Sequence, residues 1–160
     1  MASRLGAVTV VIGCCMLAGC TASNSTESDE MTLPDRAAAA GRLEALLELT
    51  VTSTPHVRAD GLTRQKTESE LSCDEVTAQL TRWAEIRLEP GVDMESTLTQ
   101  LGERLHADTG WPVRTSRSLA DGLSILSAED DDDRSGVVVG QESDDLLHVT
   151  AYSPCYRRQS

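Results

Sequence analysis

The chain has no phenylalanine, and its aromatic side chains are two tryptophans and two tyrosines. Its core must therefore be aliphatic, with Trp83 and Trp111 as the largest pieces on offer. Lysine is nearly missing as well. Lys66 stands alone, and 14 basic residues face 26 acidic ones, for a formal net charge of −12. Nucleic-acid binding is excluded as a class, because phosphate contacts need clustered Lys and Arg. A basic patch for anionic lipid is lacking for the same reason.

Catalytic signatures are also wanting. A serine hydrolase needs its nucleophile on a strained Gly-x-Ser-x-Gly turn with a histidine base, and no such turn occurs. Ser-x-x-Lys and His-Glu-x-x-His are absent. His56, His106 and His148 lie far apart, and none sits in a metal-ligand spacing. His106 falls at the end of a helical segment, where a cation complements the helix dipole. His148 shares a strand face with Leu146, Thr150 and Tyr152 and reads as a packed or rim residue. The sequence thus predicts no enzyme, no resident metal and no cofactor.

What the chain does have begins at its front. Arg4 is the only charge before Glu27, and an apolar run from Leu5 to Ala18 follows it. That run is shorter than the roughly 20 residues of a spanning helix. A positive start, a short apolar centre and small residues at its end is the layout of a secretory signal. Leu17-Ala18-Gly19-Cys20 resembles the lipobox of bacterial lipoproteins. The resemblance implies cleavage before Cys20, a diacylglyceryl group on its sulfur, and tethering to the outer face of a membrane. Residues 1–19 would then be removed as signal peptide. Residues 20–32 are polar and Ser/Thr-rich, with little to bury, and are expected to form a disordered tether reaching roughly 20 Å from the bilayer. Residues 33–160 remain as a single extracytoplasmic domain, held off the membrane by its negative charge.

The cysteines follow from this. Cys14 and Cys15 leave with the signal, Cys20 carries lipid, and Cys73 and Cys155 remain as an even pair in an oxidising compartment, read as one disulfide. Neither has a second cysteine two to four residues away, which disfavours zinc.

Within the domain, Thr32-Leu33-Pro34-Asp35 reads as a helix start, and Ala39, Leu43, Leu46, Leu47 and Val51 recur at helical spacing. A helix is expected at about 34–50. Residues 53–72 read as a loop with a short strand at 56–59. The segment 74–89 fits either a helix or a strand; alternation of Leu80, Ala84, Ile86 and Leu88 with polar residues favours a strand at 78–89. Asp93 caps a second helix whose Met94, Leu98, Leu101 and Leu105 form one stripe, and Gly110 ends it with Trp111 folded back. Extended segments follow at Trp111–Ser116, Leu123–Ala128, Gly136–Gln141 and Leu146–Tyr152. The expected fold is α+β: an antiparallel sheet of three to five strands, two helices on one face, and one disulfide. If the first core strand and the last are antiparallel neighbours, Cys73 and Cys155 can approach the roughly 5.5–6 Å that a bridge requires.

One acidic run carries a second meaning. Asp131, Asp133, Ser135, Gly136 and Glu142 fall at positions 1, 3, 5, 6 and 12 of an EF-hand loop. The flanks read as strands rather than helices, so a solvated acidic hairpin is preferred over a calcium-responsive loop at 131–142. Finally, Tyr152-Ser153-Pro154-Cys155-Tyr156 resembles the ending of small cell-envelope lipoproteins of actinobacteria. That resemblance implies no catalytic residues. The sequence points to a lipid-anchored, non-enzymatic binding or interaction module, partnered with the membrane through its lipid and with an envelope protein or small ligand; the alternatives are a calcium-responsive domain using 131–142 or an enzyme of unrecognised type.

Overall fold

The computed structural model describes residues 33–158. The lipobox-like segment, Cys20 and the tether to Thr32 lie outside the described residues. The first helix, α1 (Arg36–Ser53), starts two residues later than expected and ends three later. Asp35 is the cap, its carboxylate accepting from the Ala38 amide at 2.7 Å, so Pro34 precedes the helix instead of opening it. The helix stops at Thr54, whose backbone is extended as the residue before Pro55 must be.

Two polar strands follow, β1 (Val57–Arg64) and β2 (Ser69–Ser72), where a loop with a short strand at 56–59 was expected. Neither alternates, because both lie on a sheet edge and bury few side chains. Their backbone pairing leaves no hydrophobic period to read. The ambiguous segment is a strand, β3 (Thr77–Leu88), with Ala78, Leu80, Ala84, Ile86 and Leu88 fully buried. Then comes α2 (Met94–Thr109), capped by Asp93 and closed by Gly110 in the left-handed region (φ 74°), as its sequence requires. Five strands complete the chain: β4 (Val113–Arg117), β5 (Ser124–Glu129), β6 (Gly136–Ser143), β7 (Leu146–Tyr152) and β8 (Tyr156–Arg157).

The architecture is two helices with an antiparallel sheet, but the sheet has eight strands, not three to five. Its order is β1-β3-β7-β6-β5-β4, and β3 is the spine. One edge of β3 carries β1 and then β2, and the other carries β7 and then β8. Twelve residues are long enough for two partners on each side, and that is how the sheet outgrew the expectation. The pairing of β3 with β7 is antiparallel, with Ala84 opposite Val149. Cys73 in the β2–β3 turn therefore meets Cys155 in the β7–β8 link, forming a disulfide with a Cα–Cα separation of 6.4 Å.

Both helices pack on the same sheet face. The α1 stripe lies over β3, β6 and β7, and α2 lies over β4 and β5. Leu43 and Leu47 of α1 and Leu98, Leu101 and Leu105 of α2 are buried against Leu126, Val137, Val139, Leu147 and Val149. The core is aliphatic, as the absence of phenylalanine dictates. Its largest fully buried side chain is Tyr156, however, and neither tryptophan belongs to it. Trp111 packs at its margin and Trp83 is half-buried on the other side of the sheet. A tryptophan has too much surface to enclose in a layer of leucines and valines, whereas Tyr156 buries its ring and brings its hydroxyl to Glu70.

Candidate functional site

Alternation along the strands assigns the other face. In β3 the even-numbered residues point at the helices, so Trp83, Glu85 and Arg87 point away. In β7 the residues pointing away are Leu146, His148, Thr150 and Tyr152, none of which is fully buried. Val138 of β6 and Ile125 of β5 continue the same surface. The register lines these up in rows: Trp83 beside Thr150 beside Val138, and Glu85 beside His148 beside Gly140 beside Ile125. No helix of the described residues covers this face.

Near its middle, three ionisable side chains from three adjacent strands converge. One ligand-type atom each from Glu85, Glu142 and His148 lies within 4.8 Å of the others. His148 Nδ1 is 3.6 Å from a Glu142 carboxylate oxygen, too long for a hydrogen bond. That nitrogen is cut off from solvent and has no hydrogen-bond partner among the described residues. The Trp83 indole stacks on the imidazole, with centroids 5.7 Å apart and planes 26° from parallel, which fixes the ring from one side. The nearby cation on the same strand face, Arg87, is directed to Asp145 at 3.4 Å. Two carboxylates and an imidazole so placed can hold a cation or share a proton.

Sequence reading placed His148 on the correct face with Leu146, Thr150 and Tyr152, but as a packed or rim residue. It did not assemble the cluster. Glu85, Glu142 and His148 are far apart in sequence, and only the β3–β7–β6 pairing joins them. The available signal was that all three are polar residues on the outward period of their strands.

The acidic run takes a different form from a calcium loop. Residues 124–129 and 136–143 are the paired strands β5 and β6, so Asp130–Ser135 is a hairpin turn flanked by strands. Asp133 accepts from the Ser135 amide at 2.8 Å, and Arg134 has a positive φ of 61°. Glu142 lies at the other end of β6, about 20 Å from Gly136 at the rise of an extended strand. The twelve residues therefore run along the sheet instead of wrapping a common centre.

The remaining sequence candidates are dispersed. His106 stands in the last turn of α2 and bonds the Trp111 carbonyl oxygen at 2.7 Å, a capping contact. His56 occupies the α1–β1 turn with φ 58°, its carbonyl accepting from Glu89. The Cys73–Cys155 bridge borders a cavity of about 520 Å³ that Gln79, Arg134 and Tyr152 also line. The Gln79 amide spans part of it, donating to the carbonyls of Arg134 and Ser153. Beside it, Glu70 accepts from the Tyr156 hydroxyl and from Arg158 at 3.0 Å. Burial, and then that bond to Glu70, push the Tyr156 phenol above its usual range. The phenol stays neutral at neutral pH and serves as a donor. Comparison of the chain with protein-family models, with curated proteins and with solved structures found no match.

Proposed function

We propose that the chain is a lipid-anchored protein of the extracytoplasmic membrane face that acts as a non-enzymatic binding module, with the open face of its sheet as the docking surface. The anchored half of this reading rests on the signal-like start and on Leu17-Ala18-Gly19-Cys20. The binding half rests on one observation: a sheet face that no helix of the described residues covers, bearing Trp83, Val138, Ile125, Leu146 and Tyr152 half-buried among polar neighbours. Aromatic and aliphatic centres with polar rims are the composition of recognition surfaces. A disulfide-closed scaffold suits an oxidising compartment.

The test places a photo-crosslinking residue at Thr150, in the middle of the open face, and separately at Ser96, exposed on α2. Irradiation in native membranes should give a discrete adduct from position 150 and none from position 96. Equal labelling from both positions, or none from 150, overturns the binding reading. Intact mass of the mature chain tests the anchor, and a mass without acyl groups on Cys20 overturns it.

A further inference from the structure

We infer that Glu85, Glu142 and His148 form a binding site for a divalent transition metal of the Zn²⁺ type, independent of what the open face docks. Three observations carry this. The three donors come from three different strands, so they are held by the sheet and not by one flexible loop. Two of them are carboxylates brought within 4.8 Å of each other and of the imidazole, with Arg87 turned to Asp145. Two carboxylates so placed offer oxygen donors from opposite sides of the imidazole's strand. Last, His148 Nδ1 is shielded from solvent, faces this space and bonds nothing among the described residues, which a neutral or protonated histidine in a finished hydrogen-bond network would not do.

The donor set selects the ion. One imidazole nitrogen with two carboxylate oxygens is a ligand combination of zinc and its first-row neighbours. Calcium wants six to eight oxygens and would gain little from this trio. Zinc–ligand bonds of about 2.0–2.2 Å put neighbouring donors a little over 3 Å apart in a tetrahedral site. The glutamates must therefore close by about an ångström. Glu142 is nearly half exposed, while the Trp83 indole stacks on the imidazole. Three protein ligands leave a position open to solvent, on the surface where a partner would dock.

The rival account is an ion pair of protonated His148 with the two glutamates. Isothermal titration of the full mature chain in detergent with Zn²⁺, after chelator treatment and alkylation of free thiols, separates the two. One ion per chain is expected. Glu85→Gln and Glu142→Gln, which preserve shape on the open face, should each weaken binding at least about ten-fold. His148→Gln should do the same, and Asp131→Asn in the acidic turn should leave binding unchanged. In a Trp111→Phe background, Co²⁺ should quench the emission of Trp83, and the Glu142→Gln variant should lose that response. No uptake of Zn²⁺, uptake unaffected by both glutamate variants, or uptake abolished by Asp131→Asn would each overturn the site. Alkylation keeps the result separate from the lipid anchor, because an unlipidated Cys20 then contributes no thiolate.

Discussion

Gly61 occupies the stretch of β1 where the register with β3 shifts between Val57 and Leu62. A Cβ there would stand 2.4 Å from the Arg87 carbonyl oxygen. That oxygen belongs to the spine strand and cannot yield, so Gly61→Ala should cost about 1–3 kcal/mol as an overpacking strain. Urea unfolding with an unchanged m-value would measure it. Leu101 is fully buried where α2 meets the sheet. Leu101→Ala should cost about 2–5 kcal/mol, and a smaller loss would mean that α2 re-seats over β5. Asp74 tests electrostatics. Its carboxylate is held below the usual range by the Thr77 side chain first, and then by the amides of Val76 and Thr77. A depressed carboxylate contributes stability above its unfolded-state value near pH 4, and the contribution is lost as pH falls through the folded value. Asp74→Asn should therefore lower the thermal midpoint at pH 7, and the difference from the unaltered chain should shrink below pH 4. A difference that stays constant down to pH 2.5 would remove the charge from the explanation.

At the level of elements, β3 is the strand on which the others depend. It pairs with β1, β2, β7 and β8, and the turn before it is tied to Cys155. The bridge spans a sequence separation of 82 residues, enclosing most of the sheet. On the chain-entropy account such a loop stabilises by about 4–5 kcal/mol, less any strain. That is a large share of what a domain with an aliphatic core commonly has. Cys155→Ser, or reduction, should lower the thermal midpoint by several degrees or more, with β2 and β8 the first to open. Hydrogen exchange of the Leu80 and Ser153 amides, which bond across this end of the sheet, reads the opening directly. Unchanged protection after reduction would mean that the Ser153 contacts alone hold the end closed.

Among the described residues the two helices lie on one face of the sheet, and ion pairs gather on that side. On the helix side, Glu44 and Glu48 of α1 meet Arg64 of β1 and Arg82 of β3, and Glu68 bridges Arg82 to Arg36. These pairs tie α1 to the sheet edge, though their exposure limits each to a modest contribution. On the opposite face no helix of the described residues covers the sheet. Cys20→Ala should leave an unprocessed or released chain, which detergent-phase partitioning detects, without altering the thermal midpoint of the domain. A variant that both leaves the membrane and unfolds would tie the front of the chain to the domain itself.

How far the sequence alone reached depended on whether a property is local. The α2 stripe, its Asp93 and Gly110 caps, and β7 from Leu146 to Tyr152 were legible because each is written in consecutive residues. The even pair of cysteines announced the bridge for the same reason. Most of β1 and all of β2 were not legible, since backbone pairing with few buried side chains leaves no pattern, and β8 is too short to show a period although it buries Tyr156. Tyr156 displaced the tryptophans from the core because only packing decides which large ring can be enclosed. Glu85, Glu142 and His148 became neighbours through strand register alone. Composition and periodicity determined an acidic, disulfide-closed domain of helices and strands, while the tertiary structure decided which polar residues meet, because convergence of distant side chains is a property of pairing that no single segment contains.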